Sequence, residues 1–277
     1  MEFFKAIFLG VLQGLTEFIP ISSSAHLAIF PKFFGWEDPG AAFTAVVQIG
    51  TELAVLIYFW RDIWTIGSGW VKALGSKEHR AAPEWRMGWF IIVGSLPIVL
   101  LGIGFESTID KELRNLWIIG TTLIVLGIVL GIAERVGRLS RPVDQLTWRH
   151  AVALGLAQSA ALVPGVSRSG ATISMGLFLG YERAAATRYA FLLAIPAVVG
   201  AGVFKLKDIP GGDNAYGVAP TVVATVVSFV VGYATIAWLL KYVSTNAYTP
   251  FVVYRILLGG LVLTLVASGA ISAAVAT

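Results

Sequence analysis

Ionisable and hydroxylated side chains recur in this chain inside sequence that is otherwise apolar, at spacings suited to chemistry. Gln13 and Glu17 are four residues apart and so share a helix face, with Thr16 near the same stripe. Pro20 is followed by Ser22, Ser23, Ser24 and then His26. Ser23 and His26, three apart, are close enough on one turn for a hydroxyl–imidazole hydrogen bond, the pairing that activates a nucleophile. Helix capping by one of the serines is the plainer alternative. Further on, Gly165, Ser167, Arg168, Ser169, Gly170 and Thr172 combine glycines for close backbone approach, hydroxyl donors and a guanidinium fork suited to phosphate oxygens. A helix restarting after Ser167-Arg168 would aim free N–H groups and its positive dipole end at an anion. The chemistry these residues suggest is a phosphate site facing a carboxylate, a histidine and serines.

The two stretches are one motif written twice. Leu9-Gly10-Val11-Leu12-Gln13 leads to a break at Pro20 and to Ser22; Leu154-Gly155-Leu156-Ala157-Gln158 leads to a break at Pro164-Gly165 and to Ser167. The two glutamines are 145 residues apart, close to half of the 277-residue chain. An irregular break in apolar sequence is unfavourable unless it faces protein, water or ligand, so two matched breaks predict one site where two halves meet.

The elements that must position such a site are membrane helices. Hydrophobic residues make up 57% of the chain and charged ones only 13%, and the mean hydropathy is +0.80. Runs at 41–60, 88–105, 116–133, 184–204, 218–240 and 250–272 each approach the ~20 residues needed to cross ~30 Å of hydrocarbon. Trp36, Trp60, Trp89, Trp117 and Trp148 fall at run ends as interfacial anchors. With no cysteine there is neither a disulfide framework nor a thiolate metal site. The net charge of +4 is met by loop Lys and Arg and calls for no nucleic acid. The N-terminal run lacks a signal-peptide cleavage pattern and carries the first motif.

The expected fold is therefore an all-α integral membrane protein, a single domain over 1–277 with repeat 1 about 1–140 and repeat 2 about 146–277. If 3–34 and 149–181 are re-entrant hairpins, each half has three crossings and the repeats are inverted; if they span, each half has four and the repeats are parallel. The hairpin reading is preferred, because ~32 residues with a mid-point break is long for one crossing. Either way loops 61–86 and 134–149 carry the excess of Lys and Arg and belong in the cytoplasm. Glu17, Glu52, Arg168 and Arg255 are charges at membrane depth, which mark function or, in the alternative, a structural Glu–Arg pair. Gln48 and Glu52 share a face that could line the cavity. His79 reads as solvated, His150 as the start of a cytoplasmic helix, and the small-residue run after Ala267 as a fraying end.

Gln13-Gly14-Leu15-Thr16-Glu17, Pro20-Ile21-Ser22-Ser23-Ser24-Ala25-His26 and Pro164-Gly165-Val166-Ser167-Arg168-Ser169-Gly170-Ala171-Thr172 resemble the motifs of the bacterial undecaprenyl pyrophosphate phosphatases, also called bacitracin-resistance proteins, and the likeness covers nearly the whole length. The resemblance implies hydrolysis of a C55 polyprenyl diphosphate to its monophosphate, recycling the lipid carrier of cell-wall synthesis. It implies a divalent cation, Mg2+ or Ca2+, inverted repeats with re-entrant hairpins, and a multi-pass protein of the bacterial inner membrane whose site opens to the extracytoplasmic side; a homodimer is compatible with it. Gln13 stands where the family motif often has Glu, which removes one anionic candidate for the metal, and Ser24 stands where Thr is often found.

On this reading Arg168 and the N–H groups of 167–170 clamp the phosphates, assisted by Ser167, Ser169 and Thr172, with Gln13, Ser22, Ser24, Gly165 and Gly170 completing the binding surface. Glu17, helped by Gln13, holds the metal or acts as base. The nucleophile is Ser23 with His26 as base, His26 itself, or water activated by His26. A polyprenyl-phosphate or anion transporter using the same midplane site is the rival, and a nucleophile beside a base and a carboxylate is what it would not need.

Overall fold

The computed structural model describes residues 1–105, 113–205 and 214–275. Eleven α-helices fill these residues: α1 Glu2–Phe18, α2 Ser23–Phe33, α3 Ala41–Tyr58, α4 Trp60–Gly75, α5 Pro83–Gly104, α6 Leu116–Val136, α7 Trp148–Ser159, α8 Arg168–Phe178, α9 Arg183–Lys205, α10 Val218–Val243 and α11 Thr249–Ala267. Five helices (α5, α6, α9, α10 and α11) are long and apolar enough to cross a membrane, and α3 with α4 makes a sixth candidate bent by 67°. Among the described residues there is no β-strand, only two isolated bridges.

The two motif segments fold as hairpins. α1 and α2 have 17 and 11 residues, α7 and α8 have 12 and 11, so each arm is shorter than a full crossing. At the mouth of the first hairpin the start of α1 touches the end of α2: Phe8 lies 5.6 Å from Phe34 and 5.5 Å from Trp36, ring to ring. At the mouth of the second, His150 Nδ1 lies 2.7 Å from the Tyr181 hydroxyl. In each segment the start of the first helix and the end of the second thus lie close together.

Each hairpin packs on a helix from the other half of the chain: α1 runs along α10 and α7 along α5. The repeated glycine explains the fit. A Cβ at Gly10 would strike the Ala224 backbone on α10, and one at Gly155 would strike the Gly94 backbone on α5. Hydroxyls tie the same helices sideways, Ser228 donating to the Val47 carbonyl of α3 at 2.7 Å and Ser95 to the Leu193 carbonyl of α9 at 3.2 Å. The main core gathers Phe18, Phe59, Phe191, Leu193 and Ile236 beneath the two breaks, and a second cluster of Ala25, Ile29, Leu123 and Val262 joins α2 to α6 and α11.

Two expectations are corrected. The stretch 61–86 is not a plain loop, because 60–75 forms the amphipathic helix α4. Its Ile63, Ile66, Trp70 and Ala73 recur at helical spacing; Ile63 and Ile66 pack on the core and Trp70 covers Gly88 of α5, while Trp60, Trp64, Val71 and Leu74 face outward. Nor is the segment after Ala267 left to fray. The Leu116 N–H donates to the Ala273 carbonyl at 2.9 Å, and Lys32 donates to the Ala274 carbonyl.

Candidate active site

Both breaks have the same local build. Ile19 and Val163 leave the helical conformation, Pro20 and Pro164 prevent its continuation, and the next helix restarts on a serine with positive φ, Ser22 at 76° and Ser167 at 73°. These serines are N-caps: Ser22 Oγ accepts from the Ala25 N–H at 3.4 Å and Ser167 Oγ from the Gly170 N–H at 3.1 Å. Each also lies 3.1 Å from the serine two residues on, Ser24 and Ser169. Non-glycine residues at positive φ are strained, and two of them 145 residues apart in matching roles mark a functional constraint.

The breaks meet tip to tip. The Gly165 N–H donates to Ser24 Oγ at 3.4 Å, and Ser169 Oγ donates to the Ile19 carbonyl at 3.4 Å. Gly165 (φ 91°) sits against Ile119 and Thr122 of α6, where neither that φ nor the space admits a side chain.

At this junction Glu17 is the hub. Its Oε1 accepts from Arg168 Nη2 at 2.6 Å across the two hairpins, and its Oε2 accepts from Ser23 Oγ at 2.6 Å and from Gln13 Nε2 at 3.2 Å. The Glu17 and Arg168 side chains remain 13% and 21% exposed, so the pair faces a cleft. Thr51, Val55, Phe191 and Val198 line that cleft alongside Glu17, Arg168 and Glu52, giving it one charged end and an apolar wall. Gln48 Nε2 donates to Glu52 Oε1 at 3.2 Å on the same side of α3.

The structure thus brings Gln13, Glu17, Ser23 and Arg168 into direct contact, with Ser169 beside them. Ser22, Ser24, Gly165, Ser167 and Gly170 shape the backbone behind them. Thr172 is fully buried, and its hydroxyl donates to the Arg168 carbonyl at 2.9 Å, within its own helix.

His26 is arranged differently from the sequence expectation. Its Nδ1 lies 2.7 Å from the Ser22 carbonyl and its Nε2 2.7 Å from the Tyr254 hydroxyl. A carbonyl only accepts, so Nδ1 carries a proton, and with Nε2 on the Tyr254 hydroxyl both nitrogens are engaged. The ring is 1% exposed and lies between Phe30 and Tyr254. The expected Ser23–His26 hydrogen bond is replaced by Ser23–Glu17, because an ionised carboxylate is the stronger acceptor. Tyr254 had no signal in the sequence, being one aromatic in an apolar run.

The oxygen donors suit a hard divalent cation. Gln13 Oε1 is buried with no hydrogen-bond partner, beside the Glu17 carboxylate, and Glu52 lines the same cleft. Among the described residues no group of three or more His, Cys, Asp or Glu converges, so such an ion would draw further ligands from substrate or water.

Arg255, the other deeply placed charge, has no carboxylate partner among the described residues. Its guanidinium donates to the carbonyls of Pro20, Gly165 and Val166 at the breaks and to those of Thr122 and Leu123 on α6. The Glu–Arg pairing considered for it does not form.

Known proteins resemble this chain over nearly its whole length. The undecaprenyl-diphosphatase of Nocardioides sp. is 64% identical over 273 residues, covering 99% of this chain and 100% of that protein. The undecaprenyl-diphosphatase of Micrococcus luteus is 56% identical over 277 residues, with 99% and 100% covered, and that of Thermobifida fusca 53% over 272, with 98% and 93% covered. The family described as bacitracin resistance protein BacA matches residues 6–261, a segment that contains both breaks and their junction, and this chain belongs to that family.

Proposed function

We propose that this protein hydrolyses undecaprenyl diphosphate to undecaprenyl phosphate and inorganic phosphate. The observation that carries the reading is the Ser23–Glu17–Arg168 constellation: a hydroxyl on a carboxylate, next to a cation suited to phosphate, at the charged end of an apolar cleft. Arg168 and the free N–H groups at the start of α8 bind the diphosphate, and phosphate oxygens compete with Glu17 for the guanidinium. Ser23 Oγ attacks the terminal phosphorus while Glu17 takes its proton. The bond from that phosphorus to the bridging oxygen breaks, and the proton passes to the departing lipid phosphate. Water then cleaves the Ser23–phosphate bond, and Ser23 regains a proton through Glu17. His26, enclosed by Ser22 and Tyr254, holds the backbone from which Ser23 projects.

Glu17 and Gln13 Oε1 are the groups that would hold Mg2+ or Ca2+, with Glu52 nearby. Such an ion supplies charge neutralisation on the phosphate oxygens. Translocation alone leaves the Ser23–Glu17 pair without a task, so hydrolysis is the better account of these residues.

The membrane arrangement follows from charge. The face carrying 61–86 and 134–149 is cytoplasmic by the excess of Lys and Arg. The first hairpin then opens to the extracytoplasmic side and the second to the cytoplasm, as inverted repeats require; the exchange of packing between α1–α10 and α7–α5 supports this.

The test is phosphate release from undecaprenyl diphosphate by purified protein in detergent. Wild type should turn over; Arg168→Ala and Ser23→Ala should lose at least ~10³-fold, and a chelator should abolish turnover until Mg2+ or Ca2+ is restored. Protein that binds the lipid but releases no phosphate with any divalent ion would overturn the reading.

A further inference from the structure

The breaks leave carbonyl oxygens without helical partners inside a hydrophobic bundle, where each unsatisfied group is strongly unfavourable. One side chain meets them on both sides of the junction. Arg255, fully buried on α11, donates through Nη1 to the Pro20 carbonyl of the first break at 3.0 Å. Through Nη2 it reaches the Gly165 and Val166 carbonyls of the second break at 3.0 and 3.1 Å. Nε and Nη2 also bond the Leu123 and Thr122 carbonyls of α6 at 3.2 and 3.3 Å, which fixes the guanidinium against a third element. A planar fork makes these contacts at once, with Nη2 sharing its two N–H groups among three carbonyls; an ammonium cannot span them.

The position of this cation matters as much as its bonds. It lies directly behind the start of α8, where a Cβ at Gly170 would come within 3.2 Å of Arg255 Nη1. Its partners are all carbonyls, so its charge is shared among dipoles and cancelled by no carboxylate within ion-pair distance among the described residues. The phosphate-facing turn that carries Arg168 is thus backed by a second, hidden positive charge.

We propose that Arg255 is the positioning residue of this site: it locks the first break, which carries Glu17 and Ser23, at a set distance from the second, which carries Arg168, and its unpaired charge strengthens capture of the anionic substrate. The proposal rests on the phosphatase reading above. It assigns Arg255 no contact with substrate.

The two parts separate in steady-state kinetics of the full-length protein on undecaprenyl diphosphate, alongside thermal melting of each variant. Arg255→Lys keeps the charge but cannot span both breaks, so kcat should fall about a hundredfold with KM within about threefold, the loss expected when reacting groups shift by ~1 Å. Arg255→Met removes the charge as well, so KM should also rise, by about tenfold or more. Should both variants fail to fold, Thr122→Val decides. Thr122 Oγ1 donates to the Pro164 carbonyl at 2.8 Å and braces the second break alone, so its loss should lower kcat several-fold at unchanged KM. Variants with wild-type kcat, or a loss of activity that only follows the folded fraction, overturn the positioning role while the phosphatase reading stands. A wild-type protein as inert as Arg168→Ala removes the phosphatase reading and this inference with it.

Discussion

Glu17 is asked to do several things at once: accept from Ser23, pair with Arg168 and stand beside the unpartnered oxygen of Gln13. Glu17→Gln keeps the shape and removes both the charge and the basicity. Its expected effect is a fall in kcat of ~10²–10⁴-fold, read by single-turnover phosphate release, and near-wild-type turnover would exclude Glu17 as the base. His26 gives the opposite prediction. Asparagine can reproduce the Nδ1–H that meets the Ser22 carbonyl, so His26→Asn should keep activity within about tenfold of wild type, whereas a catalytic base so replaced loses far more. A loss as deep as that of Ser23→Ala would restore histidine to the chemistry. The contrast shows what spacing can reveal. Gln13 and Glu17 are one turn apart on a regular helix, so their shared face was legible. Ser23 and His26 straddle a helix start whose cap has φ of 76°, and the choice between Glu17 and His26 as acceptor depends on a tertiary approach that no local pattern encodes.

At the level of elements, apolar runs announced the crossing helices because burial in lipid imposes length and composition together. The helix α4 escaped because its turns are interrupted by Gly67, Ser68 and Gly69, and its inward stripe becomes visible only once α5 lies beside it. The repeated glycines, by contrast, were visible as part of the motif, but their reason is contact with a partner helix from the other half. That reason is testable. Gly10→Ala and Gly155→Ala each drive a methyl into the backbone of the facing helix, at Ala224 and at Gly94. Both should lower stability by about 1–3 kcal/mol, as overpacking of a close helix contact does. Gly75→Ala, where a Cβ meets nothing within 4 Å, serves as the control. Thermal melting in detergent followed by tryptophan fluorescence separates them. Equal stability of all three would mean that the hairpins are not seated on α10 and α5 as described.

Over the whole molecule, two breaks of matching local build carry complementary groups. Ser23 and Arg168 occupy equivalent positions after their N-cap serines, one supplying a hydroxyl and the other a cation, and Glu17 has Leu162 as its counterpart. On the proposed inverted topology these half-sites meet with their hairpins approaching from opposite faces, which ties the chemistry to the topology. The chain has no cysteine, so single cysteines can report the side of each hairpin arm without background. Glu2 and Glu37 flank the first hairpin and are exposed, as are Ser140 and Glu182 around the second. In intact cells a membrane-impermeant maleimide should label Glu2→Cys and Glu37→Cys, while Ser140→Cys and Glu182→Cys should react only after the membrane is permeabilised. Spanning segments with parallel repeats predict a different pattern: the two members of each pair would lie on opposite sides, with Glu2→Cys protected while Glu37→Cys reacts. In that case the tip-to-tip junction of Glu17 with Arg168 could not be built from two re-entrant arms, and the inverted architecture would have to be abandoned along with the extracytoplasmic opening of the first hairpin.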